Sequence, residues 1–143
     1  MRKEVPALEG NVHVSSIKLD RAKTIITVEG TWSNKSPYRV RVDVNLSQIR
    51  IYVLSDKQPN GHIDPLFLEK PIYTTQLFRN YSYYEFDPNV AWKIQEHYVL
   101  ETGKIYMINW YLVREKTKNK NFEEPIVWES SLICDCRHLK ATN

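Results

Sequence analysis

Alternation by twos dominates this chain. From Tyr38 onward, Tyr38, Val40, Val42, Val44 and Leu46 interleave with Arg39, Arg41, Asp43 and Asn45, as expected of a strand with one buried face and one wet face. The next apolar set, Ile49, Ile51 and Val53, has the opposite parity. A one-residue slip turns every side chain to the other face, so Asn45-Leu46-Ser47-Gln48 must hold a bulge, a bend or a change of sheet. The same slip separates Val12 and Val14 from Ile17 and Leu19 across Ser15-Ser16, and predicts a first strand divided between two sheets.

A second strand spans Thr24 to Ser33, with Ile26, Val28 and Trp32 on one side and Thr27, Glu29 and Thr31 on the other. The short connection Asp20-Arg21-Ala22-Lys23 joins it to the first strand as a hairpin. Ser55 to Pro65 carries Pro59-Asn60-Gly61 and Asp64-Pro65 and reads as a loop. From Leu66 to Phe86 the chain is aromatic but weakly periodic, with short strands expected near Ile72 to Phe78 and Tyr81 to Phe86. Asp87-Pro88 predicts one short helical turn, since Asp caps and Pro suits the first helical position; a strand then runs to Leu100. Lys104 to Arg114 is the strongest strand. It has Tyr106, Ile108, Trp110 and Leu112 on one face and Ile105, Met107, Tyr111 and Val113 on the other, and a strand apolar on both faces should be central. A charged loop, Glu115 to Pro125, leads to a last strand in which Ile126, Trp128, Leu132, Cys134 and Cys136 share one parity.

Seven to eight short strands with turns between them predict an all-β domain, two antiparallel sheets packed as a sandwich and spanning 1–143. Leu100-Glu101-Thr102-Gly103-Lys104-Ile105-Tyr106 sharpens this. A turn glycine followed by a Tyr entering an apolar strand describes a tyrosine corner, in which the hydroxyl returns to a backbone group just upstream and pins a crossing between sheets. With Trp32 in the second strand and Tyr38-Arg39-Val40 opening the third, the chain resembles fibronectin type III and other immunoglobulin-like sandwiches. It departs from them in having Thr102 where such domains often have Pro, a long Ser55 to Phe86 region, and no inter-sheet Cys pair. A partly open barrel of the OB type is the alternative topology.

Nine Tyr, four Trp and four Phe against only four Gly reinforce the β reading. The net charge of +3 arises from 20 basic and 17 acidic residues, without the one-signed excess of a nucleic-acid binder. No apolar run approaches the roughly 20 residues of a membrane-spanning helix. The start, Met1-Arg2-Lys3-Glu4-Val5-Pro6, lacks the apolar core of a secretory signal, which predicts a cytoplasmic location.

Candidate chemistry is sparse. Cys134-Asp135-Cys136-Arg137-His138 is the one metal-like cluster. In an extended strand its cysteines fall on the same face as Trp128 and Leu132, where a thiol behaves as a small hydrophobe, so no metal is expected at Cys134, Cys136 and His138. His13, His62, His97 and His138 are scattered, nucleophile elbows and phosphate loops are absent, and Glu123-Glu124, Asp56 and Asp64 fall in loops. No catalytic residues and no cofactor are therefore expected. Lys116, Lys118 and Lys120 read as a solvated hairpin tip. The sharper signal is Phe78-Arg79-Asn80-Tyr81-Ser82-Tyr83-Tyr84, whose mixture of Tyr, Arg, Ser and Asn matches adaptable binding surfaces. In a strand Tyr81 and Tyr83 would share one face and Tyr84 the other. Phe78, Arg79, Tyr81, Tyr83 and Tyr84 are thus the candidate partner-binding residues of a non-enzymatic interaction module. The expected partner is another protein or a larger assembly; carbohydrate or another small ligand is the alternative.

Overall fold

The computed structural model of the chain describes residues 8–54, 70–116 and 126–137. The predicted loop 55–65, the stretch from 117 to 125 with Lys118 and Lys120, His138 and the first seven positions lie outside these residues. Nine strands follow in chain order: β1 (Leu8–Asp20), β2 (Lys23–Asn34), β3 (Val40–Val42), β4 (Gln48–Leu54), β5 (Tyr73–Gln76), β6 (Tyr84–Phe86), β7 (Ala91–Glu101), β8 (Ile105–Val113) and β9 (Val127–Asp135). Every pairing is antiparallel, in a three-stranded sheet β1-β2-β7, a four-stranded sheet β5-β4-β8-β9 and a two-stranded ribbon β3-β6. The described residues contain no helix.

The predicted hairpin of β1 and β2 forms, closing at Asp20 and Lys23 around Arg21-Ala22, with Arg21 at φ 58°. The phase slip at Ser15 is a bulge between Val14 and Ser16. It does not divide the strand between sheets as expected, because β1 resumes pairing with β2 on the far side and absorbs the extra residue locally.

The second slip is a turn. The strand expected from Tyr38 to Leu46 stops at Val42, since the Asp43 carboxylate accepts from the backbone N–H groups of Asn45 at 3.0 Å and Leu46 at 3.1 Å. The Asp43 carbonyl accepts from the Ser47 N–H at 3.0 Å. Local side-chain bonds of this kind compete with sheet pairing. Val40 and Val42 are buried, whereas Tyr38 and Leu46 are exposed. The chain therefore leaves the ribbon and enters the four-stranded sheet as β4, and this break takes the strand count to nine.

The predicted helical turn near Pro88 is instead a β-turn. Val90 donates to the Asp87 carbonyl at 3.2 Å and Asn89 has φ 62°, and Pro in the second position followed by a positive φ in the third marks type II.

One apolar core joins the two larger sheets. Ile26, Val28 and Trp32 from β2 and Tyr98 and Leu100 from β7 pack with Ile49 and Ile51 from β4 and Tyr106, Ile108, Trp110 and Leu112 from β8. A methyl group added at Gly30 would overlap the Trp110 ring, so β2 and β8 meet at closest approach there. β8 lies between β4 and β9, and even Met107, Asn109 and Val113 on its other face are buried, as the two-faced apolar pattern required.

The corner also forms. The Tyr106 hydroxyl donates to the Glu101 carbonyl at 2.8 Å, and Gly103 sits at φ 98°, where a Cβ would be strained. Thr102 explains its own departure from proline: its N–H donates to the Ala22 carbonyl at 3.1 Å, and its hydroxyl bonds Thr24 at 2.9 Å. Gly103 in turn donates to Cys136 at 2.9 Å. The connection that leaves the three-stranded sheet is thus tied to both sheets. Tyr106→Phe should keep the packing and lose this bond, lowering stability by about 1 kcal/mol; urea unfolding checks this, and an unchanged midpoint would show the hydroxyl to be idle.

Candidate functional site: an aromatic ledge between β5 and β7

The segment between β5 and β6 reverses at once, with Tyr81 donating to the Phe78 carbonyl at 3.1 Å and Leu77 donating to Ser47 at 3.2 Å. This drives Phe78 inward. It is 1% exposed and stacks between Tyr84, with ring centroids 5.0 Å apart, and Trp92 at 4.8 Å, with Phe86 edge-on at 6.5 Å. Such ring pairs add roughly 0.5–1.5 kcal/mol each beyond the area they bury. Tyr81 stands edge-on to Phe78 at 6.3 Å and to Tyr84 at 5.2 Å. The stack is a base beneath one outward ring, Tyr81 at 49% exposure, while Tyr83 at 55% stands beside it outside the stack.

Arg79 is spoken for. Its guanidinium makes a two-pronged pair with Glu96 at 2.8 and 2.9 Å and donates to the Gln76 carbonyl at 3.0 Å. Glu96 lies on the core-facing side of β7 and is buried. The hydrogen bonds to Glu96 hold the guanidinium above its ordinary basicity, against the opposing effect of burial. This clamp fixes the loop to β7.

The far wall comes from β3 and the turn after β6. Arg41 lies over the Tyr83 ring at 4.7 Å and pairs with Glu115 at 2.7 Å, while Arg39 pairs with Asp87 at 3.1 Å. Buried Asn34 holds the frame: its amide donates to the carbonyls of Tyr38 at 2.5 Å and Phe86 at 2.9 Å, and its side-chain oxygen accepts from the Ser36 hydroxyl at 2.6 Å. Its backbone also exchanges bonds with Asn89 and Val90. Arg39, Asn80, Tyr81, Tyr83, Glu85 and Asp87 are among the residues that line an open depression of about 570 Å³. Burial, with Tyr81 and Asp87 nearby, pushes the Tyr84 phenol up, so it stays protonated at neutral pH.

Of the five sequence candidates, Tyr81 and Tyr83 reach solvent, Tyr84 is half-buried beneath them, Phe78 is core and Arg79 is a clamp. Phe78 therefore supports the surface and does not form it, while Arg79 is fixed by its pair with Glu96 and still reaches solvent. Sequence reasoning missed Arg39, Arg41 and Asp87 as its wall, although the first two stand on the wet face of an alternation already recognised. Glu96 was also missed; its sign was its even spacing with Trp92, Ile94 and Tyr98.

Cys134 and Cys136 are buried and unbridged, with their sulfurs 3.7 Å apart. Both belong to the core. Among the described residues no three His, Cys, Asp or Glu side chains gather in metal-binding geometry. On the outer face of the three-stranded sheet, Glu29 is engaged by His13 at 3.3 Å and Gln95 at 3.2 Å, and Thr27 bonds His97 at 2.9 Å, a polar row across the three strands.

No family model matches this chain, and no curated protein matches it. Its backbone is similar to a chain described as the X-ray structure of Northeast Structural Genomics Consortium target SoR45. The TM-score is 0.50 at 12% sequence identity, over 96% of this chain and 94% of that one. The likeness concerns the fold.

Two measurements test this geometry. Removing Arg79 alone strands a buried carboxylate, so Arg79→Ala should cost about 1–3 kcal/mol, between the values for exposed and for fully buried pairs because the arginine is half in water. Arg79→Met with Glu96→Leu should cost less than Arg79→Ala alone, and urea unfolding of the variants reads the difference. Burial first, and then its neighbour Cys136, raise the Cys134 thiol from its ordinary 9.0 to about 12. The fold disfavours the thiolate, so this contribution to stability is complete below about pH 9 and is lost as pH rises toward 12. A thiol-exchange reagent at about pH 8 should label the unfolded chain and spare the native one.

Proposed function

We propose that the protein is a non-enzymatic interaction module whose recognition surface is the ledge formed by Tyr81 and Tyr83, with Arg39 and Asp87 at its margin. The observation that carries this reading is the contrast in burial. Two nearby tyrosines stand about half exposed, Tyr81 against a ring stack centred on buried Phe78 and Tyr83 against Arg41. A rigid ring presented to solvent gives large contact area at low entropic cost, and Tyr and Arg are the residues most often found at the energetic centre of interfaces. The adjoining Ser and Asn supply adaptable hydrogen bonds. The partner this surface suits is another protein or an assembly.

The scaffold is proposed to be an immunoglobulin-like sandwich of the fibronectin type III kind. Supporting this are the strand orders β1-β2-β7 and β5-β4-β8-β9, a shared core, and a tyrosine corner on the β7–β8 crossing. The short β3-β6 ribbon is an addition to that plan. Such scaffolds host many activities, so function rests on the ledge and not on the fold.

Tyr83→Ala removes an outward ring and should leave the unfolding midpoint nearly unchanged, whereas Tyr81→Ala also loses edge contacts to Phe78 and Tyr84 and should cost about 1 kcal/mol while still folding. At least one should weaken capture of the natural partner by about tenfold or more, the effect of a central interface ring. Tyr84→Ala should also lower stability. Affinity capture with the wild type and each folded variant, followed by direct binding to the captured protein, measures this. Retention of every partner by every folded variant would place the surface elsewhere, and a glycan array run with the same proteins separates sugar recognition from protein recognition.

A further inference from the structure

The two larger sheets differ by one strand, and the difference leaves a place open. β1 approaches β9 and β2 meets β8 at Gly30 and Trp110, while Tyr98 and Leu100 of β7 border a cleft together with Ile51 of β4. That uses up the three-stranded sheet, so among the described residues β5 has no strand opposite it. Tyr73 of β5 reaches sideways, edge-on to Tyr98 at 6.4 Å. The cleft so formed, about 370 Å³, runs beside the free edge of β7, with Ile72 and Tyr73 on one side and His97 and Val99 on the other.

Three observations say what it takes. Among the described residues no backbone group pairs with the outer edge of β7, which leaves a row of donors and acceptors for a further strand. The rim is apolar, with Val99 64% and Ile72 55% exposed. The charge around it is net positive: Glu96 is paired with Arg79, and Glu101 with Lys104 at 2.9 Å and, more weakly, with Lys23 opposite it, whereas Lys70 just before Ile72 and Lys93 on the His97 face of β7 make no salt bridge among the described residues. The Arg79–Glu96 clamp closes the other end, leaving His97 to Leu100 open.

We propose that this cleft is a strand-addition site for an extended polypeptide segment with alternating apolar residues and acidic flanks. The segment pairs with β7 through main-chain hydrogen bonds, sets its apolar side chains against Tyr73 and Val99, and places its carboxylates among Lys23, Lys70 and Lys93. This surface is separate from the tyrosine ledge, and either reading can fail without the other.

The probe is the capped peptide acetyl-Glu-Val-Thr-Val-Glu-Val-Asp-amide, titrated into the full chain by calorimetry and by amide NMR. Expected is one peptide per chain, with resonance changes confined to residues 72–73 and 97–101. Val99→Asp, at an exposed site and with an unchanged unfolding midpoint, should weaken binding by about tenfold, the equivalent of 1.4 kcal/mol. Lys23→Glu with Lys93→Glu should weaken it and flatten its salt dependence. Only one register of a strand faces β7, so N-methylating the peptide at either its valines or the intervening residues should abolish binding for one set and spare it for the other. No binding at about 1 mM peptide, changes centred elsewhere, indifference to Val99→Asp, or tolerance of both methylated sets would each overturn the proposal. So would a full-chain dimer that Val99→Asp dissociates, since the occupant would then be a second copy.

Discussion

The contact between Gly30 and Trp110 sets the geometry on which the rest depends. Trp110 is completely buried at the middle of the central strand β8, and it fits only because the facing strand β2 offers no side chain there. Cores are packed as densely as organic crystals, so a ring of this size fixes how closely two sheets approach. The approach then fixes what lies to either side of it. Toward β7, it brings Tyr98 and Leu100 to the level of Ile51; toward β1 it brings the first strand near β9. The packing has a polar cost. The buried Tyr98 hydroxyl and the Trp110 indole N–H lie side by side without well-formed hydrogen-bond geometry among the described residues, and burial keeps that hydroxyl protonated.

Much of this was legible because strands with one wet face announce themselves by parity. Ile26, Val28 and Trp32 needed only their spacing to be placed in a core, and Tyr106 needed only its position after Gly103. What parity cannot say is how a slip is resolved. Identical one-residue slips became a bulge at Ser15, where the β2 partner continues past it, and a turn at Asp43, where a carboxylate captures two backbone N–H groups. The choice was made by hydrogen bonds formed locally, which hydrophobic pattern does not encode. Pro88 carried the same ambiguity, since proline opens both helices and type II turns; Asn89 at positive φ decided it.

The ledge was legible in composition but not in division of labour. Phe78-Arg79-Asn80-Tyr81-Ser82-Tyr83-Tyr84 looks uniformly suited to contact, and only the turn at Phe78 sorts it into rings that hold and rings that face out. The clamp could not be anticipated either, because Arg79 and Glu96 are 17 positions apart and Glu96 occupies a place where alternation calls for an apolar side chain. A buried pair of this kind contributes little net stability compared with hydrophobic residues of similar size, but breaking it is costly. Its effect is positional: it allows one arrangement of the loop on β7.

The clamp also links the two surfaces by dividing one strand between them. β7 has eleven residues, and its outer edge would be a long, continuous template for unwanted pairing if nothing interrupted it. At its start Trp92 lies under the aromatic stack, and at Glu96 the arginine ties the loop down. Beyond that point, among the described residues, His97 to Glu101 has no strand on its outer edge, and the nearby lysines repel most basic segments. The same ion pair that holds the tyrosines in their outward pose therefore sets the length of edge left available. A long edge invites aggregation, whereas a short one with a defined charge can select its occupant.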